Sequence, residues 1–122
     1  MLETFVEFTF EAAHEVPPHA SLHGHSFVVA IYLRGEQDPV LGWTHNLADV
    51  DVGLAEIKAQ LRNAYLNEIE GLEVPTMANV AAWIWHRLNQ TIAGLDRVEV
   101  RRGVTGAAVG CRYTGHATLE GA

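Results

Sequence analysis

Cysteine and basic side chains are both scarce in this chain of 122 residues. The single cysteine, Cys111, excludes a disulfide within the chain and suits a reducing, cytoplasmic setting. Only eight lysines and arginines stand against 15 acidic residues, which gives a formal net charge of −7. Nucleic-acid affinity depends largely on lysine and arginine side chains that neutralise phosphates. We therefore expect no nucleic-acid partner.

Long apolar runs are also missing. No stretch approaches the roughly 20 apolar residues of a membrane helix, so we expect no membrane partner. The first residues show no basic segment followed by an apolar one, and a secretory signal peptide is not predicted. The chain does have enough apolar residues for a core, at 48% of the total. Its length fits one domain over residues 1–122.

Four segments have the alternation or the β-branched and aromatic content that is typical of strands. They are predicted at residues 4–10, 23–33, 97–102 and 109–119. Two prolines at positions 17 and 18 predict a loop between the first two strands.

Two segments between these strands have apolar residues at helical spacing. The first runs from Leu47 to Leu61 behind Asn46, and the second follows Thr76 and ends at Gly94. The order is therefore ββααββ. It indicates an α+β fold, with a four-stranded antiparallel sheet and both helices on one face.

Three histidines have the spacing of a metal site. His23 and His25 lie two residues apart in a predicted strand, so both imidazoles lie on one face. His14 follows the first strand, and a hairpin of the first two strands brings it towards the pair. Three imidazoles without carboxylate or thiolate suit zinc and leave a fourth position for water or substrate. We predict a Zn²⁺ site on His14, His23 and His25; the alternative is ordinary surface or core histidines.

The residues around these histidines resemble the family of 6-pyruvoyl-tetrahydropterin and 6-carboxy-tetrahydropterin synthases. The matches follow the family's order over residues 5–115 and are closest to its bacterial branch, which serves queuosine biosynthesis. The matching runs are Phe8-Thr9-Phe10-Glu11-Ala12-Ala13-His14, Leu22-His23-Gly24-His25-Ser26-Phe27, Gly42-Trp43, Tyr65-Leu66-Asn67, Gly71-Leu72-Glu73, Pro75-Thr76 and Trp83-Ile84-Trp85.

The resemblance implies the tunnelling fold (T-fold), in which trimers form a barrel and two trimers stack into a homohexamer. It also implies a zinc-dependent lyase whose active site lies between subunits. In that family zinc acts as a Lewis acid on the oxygens of the substrate side chain. A Cys thiolate and an Asp-His pair transfer protons, and a Glu anchors the pterin.

The chain departs from the family at the residues that carry this chemistry. His19 stands at the position of the family Cys, and Arg62 and Asn63 replace the Asp-His pair. The pterin-anchoring Glu aligns with Arg102, whose guanidinium only donates hydrogen bonds and mismatches the donors of a pterin edge. Arg102 either binds a carboxylate or phosphate of a substrate or faces solvent and pairs with an acid.

Three more residues are candidates for the site. His19 is a general base that replaces the Cys, a fourth zinc ligand or a loop residue. His45 and Asp49 flank the start of the first predicted helix. His45 is a candidate for catalysis, and Asp49 is a candidate for substrate binding. The alternative is that both residues only stabilise the start of the helix.

These observations favour a zinc-dependent lyase or cyclase that acts on a small, anionic molecule other than the usual pterin, in a homo-oligomer. A second hypothesis keeps the family reaction on 7,8-dihydroneopterin triphosphate with substitute residues, which makes the chain a true 6-carboxy-tetrahydropterin synthase. A third is a non-catalytic metal-binding or ligand-binding relative. A zinc hydrolase is less favoured, because no acid is placed as its base.

Overall fold

Two long strands form the spine of the sheet. The computed structural model describes residues 1–16, 19–103 and 109–115, and the backbone alone of residues 19 and 20. Strand β1 (Leu2–Val16) pairs antiparallel with β2 (His19–Gly35) as the sequence predicts, but β1 continues beyond its predicted end at residue 10, so His14 lies within the strand and not after it. The pairing stays in register down to His14, which lies opposite His23. The hairpin therefore carries all three predicted metal ligands at one end.

Three further strands complete the sheet in the order β3-β1-β2-β4-β5. Strands β4 (Leu95–Arg102) and β5 (Val109–Thr114) extend it antiparallel from β2. The short β3 (Ala64–Tyr65) pairs in parallel with residues 12–13 of β1. The predicted antiparallel strands are confirmed, and the predicted count of four is corrected to five among the described residues. Two residues are too few to show any period, so β3 left no signal in the sequence. Residues 116–119 of the last predicted strand lie outside the described part of the chain.

The two helices begin at their predicted caps. Helix α1 (Leu47–Leu61) follows Asn46, whose side-chain oxygen accepts a backbone N–H. Helix α2 (Met77–Leu88) follows Thr76, whose hydroxyl does the same. Helix α2 ends earlier than its predicted end at Gly94, although the apolar spacing continues through a buried Ile92 in the turn beyond it.

Both helices cover one face of the sheet, as predicted. Phe10 of β1 and Phe27 of β2 point into the shared core, where their rings stack with centroids 4.9 Å apart. The opposite sheet face carries ion pairs, including that of Arg101 with Glu7. Neither of the described helices has the length and apolar character needed to cross a lipid bilayer.

The metal-site end of the hairpin is fixed by the chain that leaves α1. Asn63 adopts a left-handed backbone conformation with φ of 56°, which turns the chain back after the helix. Its N–H donates to the carbonyl of Glu11, and β3 then begins alongside β1. This turn secures the part of β1 that leads into His14.

Candidate metal centre

The hairpin brings the three predicted metal ligands together. The ligand atoms offered by His14, His23 and His25 all lie within 4.8 Å of one another. The ring centroid of His14 lies 4.6 Å from that of His23 and 5.2 Å from that of His25. Two nitrogens bound to one tetrahedral zinc at about 2.0–2.1 Å lie about 3.3–3.4 Å apart, so the rings need to close by no more than about 1.5 Å. The spacing of the cluster therefore suits a single ion.

Two of the rings are oriented by backbone carbonyls. Nδ1 of His14 lies 2.9 Å from the carbonyl oxygen of Pro75, and Nδ1 of His23 lies 2.9 Å from that of Ser21. Because a carbonyl only accepts, each Nδ1 is the donor and each Nε2 keeps its lone pair. A metal-binding histidine typically donates its other ring N–H in this way, which fixes the tautomer and the ring orientation.

The Nε2 atom of His14 is the strongest sign of a missing partner. His14 is 5% exposed, and its Nε2 is a buried polar atom without a hydrogen bond from the described residues. A buried acceptor left unsatisfied costs about 1–3 kcal/mol. A divalent cation at the centre of the cluster would satisfy this atom, so the residues present fit the predicted zinc.

Burial also favours the metal-binding form of two rings. Burial lowers the pKa of His14, against the hydrogen bond to Pro75, which raises it. Burial again lowers the pKa of His25, and the positive charge of Arg102 lowers it further. Both effects favour the neutral imidazole, which is the form that binds metal.

Arg102 lies at the same site. It is the last residue of β4, and its side chain lies on the inward face of the sheet. In the strand pairing it stands opposite Phe27 of β2, which is two residues from His25. Its Nη1 lies 2.8 Å from Nε2 of His25, which accepts the hydrogen bond. Arg101 on the opposite face forms ion pairs with carboxylates, whereas Arg102 forms none with the described residues. Arg102 therefore faces the histidines and pairs with no acid among the described residues, while its binding of a carboxylate or phosphate stays a prediction.

A cavity of about 510 Å³ opens beside the three histidines and Arg102. This volume lies within the range of small-molecule sites. Its described lining contains no carboxylate and includes Thr76, the N-cap of α2, and Met77, its first residue, neither of which was predicted as a site residue. Their only signal was the Pro75-Thr76 motif. The lining residues are His14, Val16, Ser21, His23, His25, Thr76, Met77 and Arg102.

His45 and Asp49 lie at the other end of the sheet within this chain. Nε2 of His45 lies 2.7 Å from the carbonyl oxygen of Ala93, and the ring packs near Gly35. Gly35 is 12 residues further along β2 than His23, roughly 40 Å of strand at about 3.3 Å per residue. Asp49 is exposed in the first turn of α1, where an acid is favourable. The structure does not bring either residue to the three histidines of its own chain.

The three predicted roles of His19 stay predictions. Its backbone opens β2 opposite Val16, which lines the cavity. Its side chain lies outside the described part of the structure.

Comparisons with known proteins agree with this architecture. A family model described as 6-pyruvoyl tetrahydropterin synthase matches residues 3–112. A curated 6-carboxy-5,6,7,8-tetrahydropterin synthase from Synechocystis sp. is 39% identical over 114 residues. That match covers 85% of this chain and 88% of the relative.

Solved structures share the fold at lower identity. A 6-pyruvoyl tetrahydropterin synthase from Caenorhabditis elegans superposes with a TM-score of 0.83 at 21% identity, over 94% of this chain and 96% of the other. An uncharacterized protein from Wolinella succinogenes gives a TM-score of 0.76 at 15% identity, over 94% and 98% of the two chains. At these identities the likeness is one of fold, and it confirms the predicted tunnelling fold.

Proposed function

The chain belongs to the 6-pyruvoyl tetrahydropterin synthase family, and we propose that it is a zinc-dependent lyase or cyclase for a small, anionic molecule other than the usual pterin. One contact carries this proposal. Nη1 of Arg102 lies 2.8 Å from Nε2 of His25, so a permanent cation faces the metal-site cavity. An enzyme that binds an anion beside its metal needs a group of this kind.

His14, His23 and His25 would hold the zinc, because Nδ1 of the first two donates to a carbonyl and leaves the lone pair of Nε2 available. When bound, zinc supplies Lewis-acid polarisation of a carbonyl or hydroxyl oxygen of the substrate. Arg102 binds a carboxylate or phosphate through two parallel N–H donors. His19 takes up the proton that the family Cys handles, since it begins β2 opposite a residue of the cavity wall.

The change of substrate follows from hydrogen-bond chemistry. A pterin edge presents N–H donors, and a guanidinium has five donors and no acceptor. The described cavity lining contains no carboxylate that could take over as the acceptor. A pterin edge placed against Arg102 would therefore leave buried donors unsatisfied, at about 1–3 kcal/mol for each one.

A true 6-carboxy-tetrahydropterin synthase is the second candidate. The 39% identity to the Synechocystis protein of that name favours it. On this hypothesis His19 and other residues substitute for the missing Cys and Asp-His pair, and the pterin is held without the family's Glu.

We also propose that the protein works as a homo-oligomer, a trimer or hexamer. The outer edge of β5 is unpaired within the described chain, and β1 has a partner on its outer side only at residues 12–13. Long open edges of this kind are available for pairing with another copy. Light scattering of the purified protein distinguishes the trimer or hexamer from a monomer, which would contradict this assembly.

The substrate proposal is tested by binding of 7,8-dihydroneopterin, which carries the pterin ring without a triphosphate. Zinc-loaded wild-type protein should not bind it measurably in calorimetry, whereas an R102E variant should gain binding because it restores an acceptor. Tight binding by the wild type would contradict the changed substrate. Formation of 6-carboxy-tetrahydropterin by the purified wild type would establish the second candidate instead.

A further inference from the structure

We infer that Arg102 and the metal ion compete for the imidazole of His25, so that metal binding and the binding of an oxyanion by Arg102 promote each other. This inference rests on the proposed function, since it concerns the same metal and the same cation. It assigns to Arg102 a control over metal affinity in addition to holding the anion.

The competition follows from the hydrogen-bond capacity of a neutral imidazole. One ring nitrogen carries a proton and the other has the only available lone pair. In His25 that lone pair is on Nε2, because Nε2 accepts the 2.8 Å hydrogen bond from Arg102. A metal ion needs the same lone pair. Arg102 must therefore move away before His25 can become a ligand.

The other tautomer of His25 does not remove the conflict. A lone pair on Nδ1 puts the proton on Nε2, and this N–H then points at a guanidinium that only donates. Two donors 2.8 Å apart repel each other, so Arg102 must again leave. Deprotonation of Arg102 offers no escape, because its guanidinium stays charged in proteins.

An anion is what releases Arg102 from His25. The described cavity lining supplies no carboxylate for the displaced guanidinium. Glu7 and Glu99 do not serve this purpose either, because they form ion pairs with Arg101 on the other face of the sheet. An incoming carboxylate or phosphate accepts the N–H groups of Arg102 and screens its charge from the metal. By linkage, the factor by which the anion strengthens metal binding equals the factor by which the metal strengthens anion binding.

Zinc affinity with and without inorganic phosphate tests this coupling. The dissociation constant is measured by competition with a chromophoric chelator that keeps free zinc low. Without phosphate, R102A should bind zinc about tenfold more tightly than the wild type, the scale of one hydrogen bond to a charged group. Saturating phosphate should strengthen zinc binding by the wild type about tenfold and leave R102A nearly unchanged.

R101A is the matched control, because it changes the net charge equally and lies one residue away on the opposite face. It should behave as the wild type, with circular dichroism confirming that every variant is folded. Zinc binding by R102A alone would also support the competition. Equal zinc affinities of wild type and R102A, with no effect of phosphate, would overturn the inference and leave the proposed zinc site standing. Absence of zinc binding from all forms would overturn both.

Discussion

Zinc should stabilise the fold through His14, and thermal unfolding measures the effect. Nε2 of His14 is buried and has no partner among the described residues, which costs about 1–3 kcal/mol in the metal-free protein. Zinc at about 100 times its dissociation constant adds about 2.7 kcal/mol of stability. For a domain of this size that corresponds to a rise in Tm of roughly 10 °C.

The assay compares Tm in a chelator with Tm in buffered zinc, for the wild type and for ligand variants. H14A and H23A should lose most of the rise, because each removes one of three ligands. H86A is the control, since His86 is exposed and contacts the hydroxyl of Tyr113. An undiminished rise in H14A and H23A, or no rise in the wild type, would refute this account of the buried nitrogen.

Three further outcomes follow from the same structure. Burial lowers the pKa of His14 and His25, so below about pH 6.5 the unfolded chain binds more protons than the folded one. Urea unfolding of the metal-free protein should therefore give the full free energy of unfolding above that pH. This free energy should fall as the pH drops through the lowered pKa values. G94A should lower the free energy of unfolding by more than about 1 kcal/mol, because Gly94 has a φ of +78° and an added Cβ would meet the carbonyl of Arg34. T76A should cost about 1 kcal/mol in the same assay, through loss of the cap of α2. A free energy of unfolding that does not change with pH would contradict the first expectation. A G94A or T76A variant as stable as the wild type would contradict the second or the third.

The parts that were predictable from the sequence depend on local periodicity. A period of two places His23 and His25 on the face that continues into Phe27 and the core. The capping residues Asn46 and Thr76 mark both helix starts for the same local reason. The assignment of His14 to the site needed one inference beyond local periodicity, namely that the first two strands pair as a hairpin, which sets His14 opposite His23.

The parts that were not predictable depend on which residues the tertiary fold brings together. The orientation of Arg102 was open because a strand end can face either way, and only its pairing with Phe27 decides it. His45 was a candidate because it is a histidine near a helix start, but the antiparallel sheet carries it away from the metal site. The carbonyl of Pro75 orients His14 from 61 residues away. The Pro75-Thr76 motif marked this segment, but a backbone carbonyl has no side-chain chemistry from which its contact with His14 could be predicted.

X-ray absorption at the zinc edge of the metal-loaded protein tests the central claim most directly. Convergence of three imidazoles on one ion predicts about three histidine nitrogens at about 2.0–2.1 Å, with at most one further oxygen or nitrogen ligand. A sulfur ligand at about 2.3 Å would indicate Cys111 or a misplaced ion and would contradict the site. So would a spectrum that is unchanged when His14, His23 and His25 are all replaced by alanine.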